Sequence, residues 1–162
     1  MTLHRSRARH RTRAQAMVEF ALVAPLFFLL LFGIIEAGRF IFYYQTLNHA
    51  TREGARYAIV NGANTLGCPS GPAATGSTPC DVAGNNVVSR VRQSAFGLPA
   101  TAISVDRCWW YDICDFGTHG DGDNARGATV SVTASYTYSS LIPLVPLPPI
   151  NVTAESSLVI NN

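Results

Sequence analysis

QAMVEFALVAPLFFLLLFGII, residues 15–35, decides the fold: beyond Glu19 it runs from Phe20 to Ile35 without one polar side chain. An α-helix rises about 1.5 Å per residue, so a hydrocarbon core of about 30 Å takes roughly 20 apolar residues. With Met17 and Val18 ahead of the run and the mostly apolar Ala37–Tyr44 behind it, the segment is long enough for one span. No second stretch of that length follows. Glu19 sits one residue inside the apolar boundary, where a carboxylate is costly unless it reaches headgroup water or a cation. Such an acid either serves a function or snorkels to the interface beside Arg13.

On the amino side Arg5, Arg7, Arg9, Arg11 and Arg13 stand without an acid, whereas Arg39 on the far side is balanced by Glu36. That asymmetry predicts a cytoplasmic amino end and an outer location for the rest of the chain. A cleaved secretory signal is the competing reading, but Ile35, Glu36, Ala37 and Gly38 match a small-x-small cleavage site poorly. Past residue 14, seven arginines face ten acids, so the basic character belongs to the tail. Arginines abutting a span set topology or touch anionic lipid, and no nucleic-acid partner is expected.

Beyond the span the apolar pattern narrows to Tyr43, Leu47, Ala50, Gly54, Ala55, Ala58 and Ile59, with Gln45, Asn48, Arg52, Glu53 and Arg56 between. Three- and four-residue spacing makes this one face of a helix. No proline falls between Pro25 and Pro69, so the helix is expected to run unbroken to Asn61-Gly62, a good C-terminal stop. Pro25, in the first half of the span, is a candidate hinge.

Residues 62–84 are rich in Gly, Pro, Ser and Thr and read as a loop. Asn85 or Asn86 is expected to cap a short helix with Val87, Val88, Val91 and Ala95 on one side, packing on a sheet. Ala128–Tyr138 alternates apolar and polar residues without an error, Ile150–Ile160 repeats the pattern, and Ala102–Tyr111 supplies a third strand. The fold class is α+β: a long N-terminal helix, then a small antiparallel sheet of three or four strands with a short helix. The organisation is a basic leader over 1–14, a membrane and amphipathic helix over 15–61, and an outer domain over 62–162.

Cys68, Cys80, Cys108 and Cys114 all fall in that outer domain, and none forms a zinc-type ligand set with histidine. Disulfides are expected, and of three possible pairings the local one, Cys68 with Cys80 and Cys108 with Cys114, brackets turn-like stretches.

The strings QAMVEFALVAPLFFLLLF, GIIEAGRF and QTLNHATREGARYAIV, from Gln15 to about Arg56, resemble the TadE-like family of pseudopilins from tight-adherence, or Flp-type, pilus systems. The resemblance covers about a quarter of the chain. It implies a pilin-like architecture and a non-catalytic role in assembling an adhesive pilus or its secretion machine. It also implies a bacterial cytoplasmic membrane location and, as partners, other pseudopilins or pilus-assembly membrane proteins. Prepilin peptidase would cut between Ala14 and Gln15, making Glu19 the fifth mature residue; Ala14 stands where the family has glycine. Glu19, with Pro25 in the same span, would then act in assembly, its carboxylate meeting the amino terminus of a neighbouring subunit. The rival from another class is a membrane-anchored binding module or adhesin whose helix is only a tether.

Other groupings carry less. Asp121, Asp123 and Asn124, with Asp115 and His119 nearby, hint at a calcium loop, but Ala125 and Val132 occupy positions an EF-hand gives to oxygen ligands. Trp109, Trp110 and Tyr111 suit a core strand better than a ligand platform. Ile142–Ile150 reads as an apolar hairpin loop, and Asn151 begins a glycosylation sequon. No nucleophile–base pairing is legible, so neither catalysis, metal nor cofactor is expected.

Overall fold

A computed structural model describes residues 6–74, 80–114, 120–141 and 148–161. α1 spans Ser6–Val60, 55 residues, which is about 82 Å at 1.5 Å per residue. It begins nine residues before the expected start at Gln15, because the leader's arginines and alanines are good helix formers and no breaker separates them from the span. α1 passes through Pro25 and stops where expected, with the amide and the side chain of Asn61 both donating to the Tyr57 carbonyl at 3.0 and 2.9 Å.

The outer part of α1 buries Leu47, Ala50, Thr51, Gly54, Ala55 and Ala58, a face of mostly small side chains that lets other elements come close. α2, Asn85–Ser94, lays Val87, Val88 and Val91 on it. The expectation that α2 packs on the sheet is corrected: its main partner is α1, with only a lesser contact to the first strand. The valines needed an apolar surface, and the small-residue face of α1 offers the closer approach. The cap is corrected too. Asp81, not Asn85 or Asn86, closes the start of α2, its two carboxylate oxygens accepting from the Asn85 and Asn86 amides at 2.8 and 2.7 Å. A carboxylate there also meets the positive end of the helix dipole.

The sheet has three strands, β1 (Ile103–Trp110), β2 (Thr129–Tyr138) and β3 (Ile150–Val159), in the order β1-β2-β3 and antiparallel throughout. Val105 faces Ala134 across one ladder, and Val130 faces Leu158 across the other. The sheet lies lengthwise along α1: Gly62 is close to Ile160, Gly54 to Val132, and Glu36 to Tyr138. β2 therefore runs back down the helix toward the apolar segment.

Trp109 is fully buried, and Gly71 (φ +107) and Gly84 (φ +68) lie flat against its indole. A side chain at either position would enter the ring, and both backbones occupy the left-handed region that glycine tolerates best. Cys68 pairs with Cys80 and Cys108 with Cys114, at Cα separations of 5.4 and 5.8 Å. Residues 142–147 of the apolar hairpin loop lie outside the described residues.

Candidate membrane and assembly interface

Every large apolar side chain of α1 from Met17 to Ile35 is exposed, from 36% at Leu31 to 77% at Met17. Water does not tolerate so much contiguous apolar surface on a folded protein. This helix is long and apolar enough to cross a membrane, and lipid is the solvent that matches it. Glu19 is the one charged residue between Ala14 and Ile35. Gln15, one turn earlier, donates to Glu19 Oε1 at 3.4 Å. The Ala14–Gln15 bond, read as the peptidase site, lies inside continuous helix, and Pro25 lies in the same bare stretch.

Where the apolar run ends, the head closes on the helix. Glu36 Oε2 accepts from Arg39 Nη1 at 3.1 Å. Glu36 Oε1 accepts from the Tyr138 hydroxyl at 2.6 Å and from the Leu141 amide at 3.1 Å. The Tyr138 ring meets Phe40 edge-on at 5.5 Å and Tyr43 at 5.8 Å. The Arg39 guanidinium stands 5.7 Å from the ring centres of both Tyr43 and Tyr138. Burial first, and then the hydrogen bond to Glu36, push the Tyr138 hydroxyl up to about 12. This clamp ties the Tyr138 end of β2 to α1 where its apolar run ends. Sequence reasoning saw only the local balance of Glu36 with Arg39. The partner, 102 residues away, left no signal beyond the inward position of Tyr138 in an alternating strand.

Farther along α1, Glu53 takes a hydrogen bond from Arg90 of α2 at 2.9 Å. That bond holds the Glu53 carboxyl below its ordinary range. Beside it, the buried Gly54 faces Val91 of α2 with no room for a side chain between them.

The acidic loop does structural work. Asp121 Oδ1 accepts from the amides of Tyr111 and Ile113, and Asp123 Oδ1 from the Tyr111 hydroxyl and the Ala125 amide. Asn124 is buried and fastens Ala74 and Ser70 to this loop. Asp115 and His119 lie outside the described residues. Of the aromatic trio, Trp109 is core, Trp110 is half-buried and donates to Ser131 Oγ at 3.0 Å, and Tyr111 is exposed.

A bare apolar helix with one acid at its edge, clamped to a small α+β head, is a candidate membrane anchor at the amino-terminal end of the chain. Residues 14–56 match the family model described as TadE-like protein, so the helix from Ala14 up to Arg56 is similar to that family. No curated protein and no solved structure matches the chain. The matched segment contains Glu19, Pro25, the Glu36–Arg39 pair and Gly54, while α2 and the sheet lie outside it.

Proposed function

We propose that this protein is a non-catalytic, pseudopilin-like component of a tight-adherence (Flp-type) pilus assembly system in the bacterial cytoplasmic membrane. α1 packs against the helices of other pseudopilins or assembly proteins, with its amino end cytoplasmic and its head outside. The observation that carries this reading is a coincidence of place. The TadE-like match falls on the helical segment whose inner half the head leaves uncovered, and that half holds a single carboxylate at its boundary. Glu19 placed against the amino group of a neighbouring subunit would pair two charges that lipid otherwise penalises.

Glu19→Ala tests it in the host cell. The variant is expected to reach the membrane fraction at wild-type levels and to fail in piliation. Unchanged piliation would refute the assembly role of Glu19. The intact mass of the membrane form decides whether the bond between Ala14 and Gln15 is cut. Photo-crosslinking from positions in the bare helix is expected to give discrete protein partners; capture of lipid alone would favour a tether.

A further inference from the structure

Arg39 follows Glu19 by twenty residues, about 30 Å along the helix axis, which is the thickness of the hydrocarbon core. With α1 across a bilayer, Glu19 and the Glu36–Arg39 pair would stand at the two boundaries, the pair at the outer one. This placement fixes the height of everything the head holds against α1. Leu141, whose amide is 3.1 Å from Glu36, would then lie just inside the boundary, and it is 73% exposed. Phe42, three residues beyond Arg39, lies about 5 Å outside it, within a headgroup layer about 5–7 Å thick.

Phe96, from the turn after α2, is 83% exposed and borders with Phe42 a groove of about 280 Å³, and the next residue, Gly97, faces the Phe42 ring. Glu36 and Phe42 point from α1 about 120° apart, so Leu141 and Phe96 flank the helix on different sides. Tyr43, Tyr44 and Tyr138 add the amphipathic rings that membrane interfaces favour.

We propose that the base of the head is itself a lipid-contacting surface, with Leu141 entering the acyl boundary beside α1 and Phe96, next to Phe42, resting among the headgroups. The inference rests on α1 crossing the bilayer and deepens the anchored reading. Two apolar side chains on different sides of one helix stop the head from tilting, and the clamp at Glu36 sets its height. The occupant is lipid because these side chains continue the surface of the span at the depth where lipid must be.

Quenching by lipids with brominated acyl chains tests this on the full chain reconstituted in phosphatidylcholine vesicles. Wild type supplies a low baseline, since Trp109 and Trp110 lie at the end of β1 remote from the membrane. Phe28→Trp reports the span, Leu141→Trp and Phe96→Trp the base, and Val159→Trp the distal end; all four positions are exposed, so the head keeps its core. The expected order of quenching is Phe28→Trp at least equal to Leu141→Trp, then Phe96→Trp, with Val159→Trp at the baseline. Quenching of Phe28→Trp with Leu141→Trp and Phe96→Trp at the baseline would overturn the proposal and leave the anchor standing. Absence of quenching in Phe28→Trp as well would overturn both. Equal quenching of Val159→Trp and Leu141→Trp would mean a head lying on its side and would also overturn it.

Discussion

Gly54→Ala should loosen the head from its stalk although alanine is the better helix former. A methyl group built on Gly54 falls far inside contact with Val91 Cγ2, and meets Val132 Cγ1 at 3.5 Å and Val87 Cγ1 at 3.7 Å. Carbon atoms settle about 3.5–4.0 Å apart, and Val91 is fully buried with a stiff β-branched side chain, so it has nowhere to turn. Overpacking of this kind costs about 1–3 kcal/mol, against a helix-propensity gain of up to about 1 kcal/mol. The depth of the overlap with Val91 puts the cost in the upper part of that range, about 2–3 kcal/mol, so the net expectation is a loss of about 1–2 kcal/mol, or about 5–10 °C in the unfolding midpoint of a head near 100 residues. Thermal unfolding of the full chain in detergent, followed by the fluorescence of buried Trp109, reads it. Gly33→Ala and Gly38→Ala are the controls, because a methyl there meets nothing within 4 Å. Gly54→Ala with Val91→Ala should be at least about 1 kcal/mol more stable than the sum of the two single changes, because the second change removes the clash. A Gly54→Ala head as stable as wild type, or an additive double variant, would refute the close-packing argument.

Three further outcomes follow from the hydrogen bonds. Tyr138→Phe should cost about 1–2 kcal/mol of head stability by removing the bond to Glu36. Because a free tyrosine loses its proton near 10.0 and Tyr138 near about 12, wild-type stability should be complete below the first value and fall as pH rises to the second. Alkaline unfolding curves should show that fall flattened in Tyr138→Phe. Glu53, held below its ordinary 4.5 by Arg90, contributes stability above that pH and loses it as pH falls. Amide exchange in α2 should accelerate on acidification in wild type and less so in Glu53→Gln. Asp81→Ala should cost about 1–2 kcal/mol and fray the first turn of α2, seen as faster exchange at Asn85 and Asn86; unaltered exchange there would contradict the cap.

The periodic elements were legible. Residues 15–35 read as a helix long and apolar enough to cross a membrane, the face from Tyr43 to Ile59 followed from three- and four-residue spacing, and the faultless alternation of Ala128–Tyr138 announced a half-buried strand. What escaped was chemistry joining distant residues. Asp81 caps α2 from beyond a left-handed Gly84, a geometry that no adjacent residue advertises, whereas Asn85 and Asn86 carried the usual cap signature without filling the role. The valine face of α2 was evident, but not its target, because a run of small residues on α1 attracts only through closeness of approach. Glu36 read as one half of a local ion pair, and its contact with Tyr138 depended on the whole sheet lying lengthwise on the helix.

That lengthwise sheet has a consequence for self-association. β3 is an outer strand of ten residues, and among the described residues no further strand pairs with its open side. Open strands invite a sister copy to zip on, and the commonest match is a two-fold pairing in opposite directions. Such a match would turn one copy upside down, because β3 and α1 share a direction, and with α1 serving as the proposed anchor its apolar end would point away from the shared bilayer. Sister molecules planted the same way up in one membrane are thereby barred from that zipper, and removal from the membrane lifts the bar.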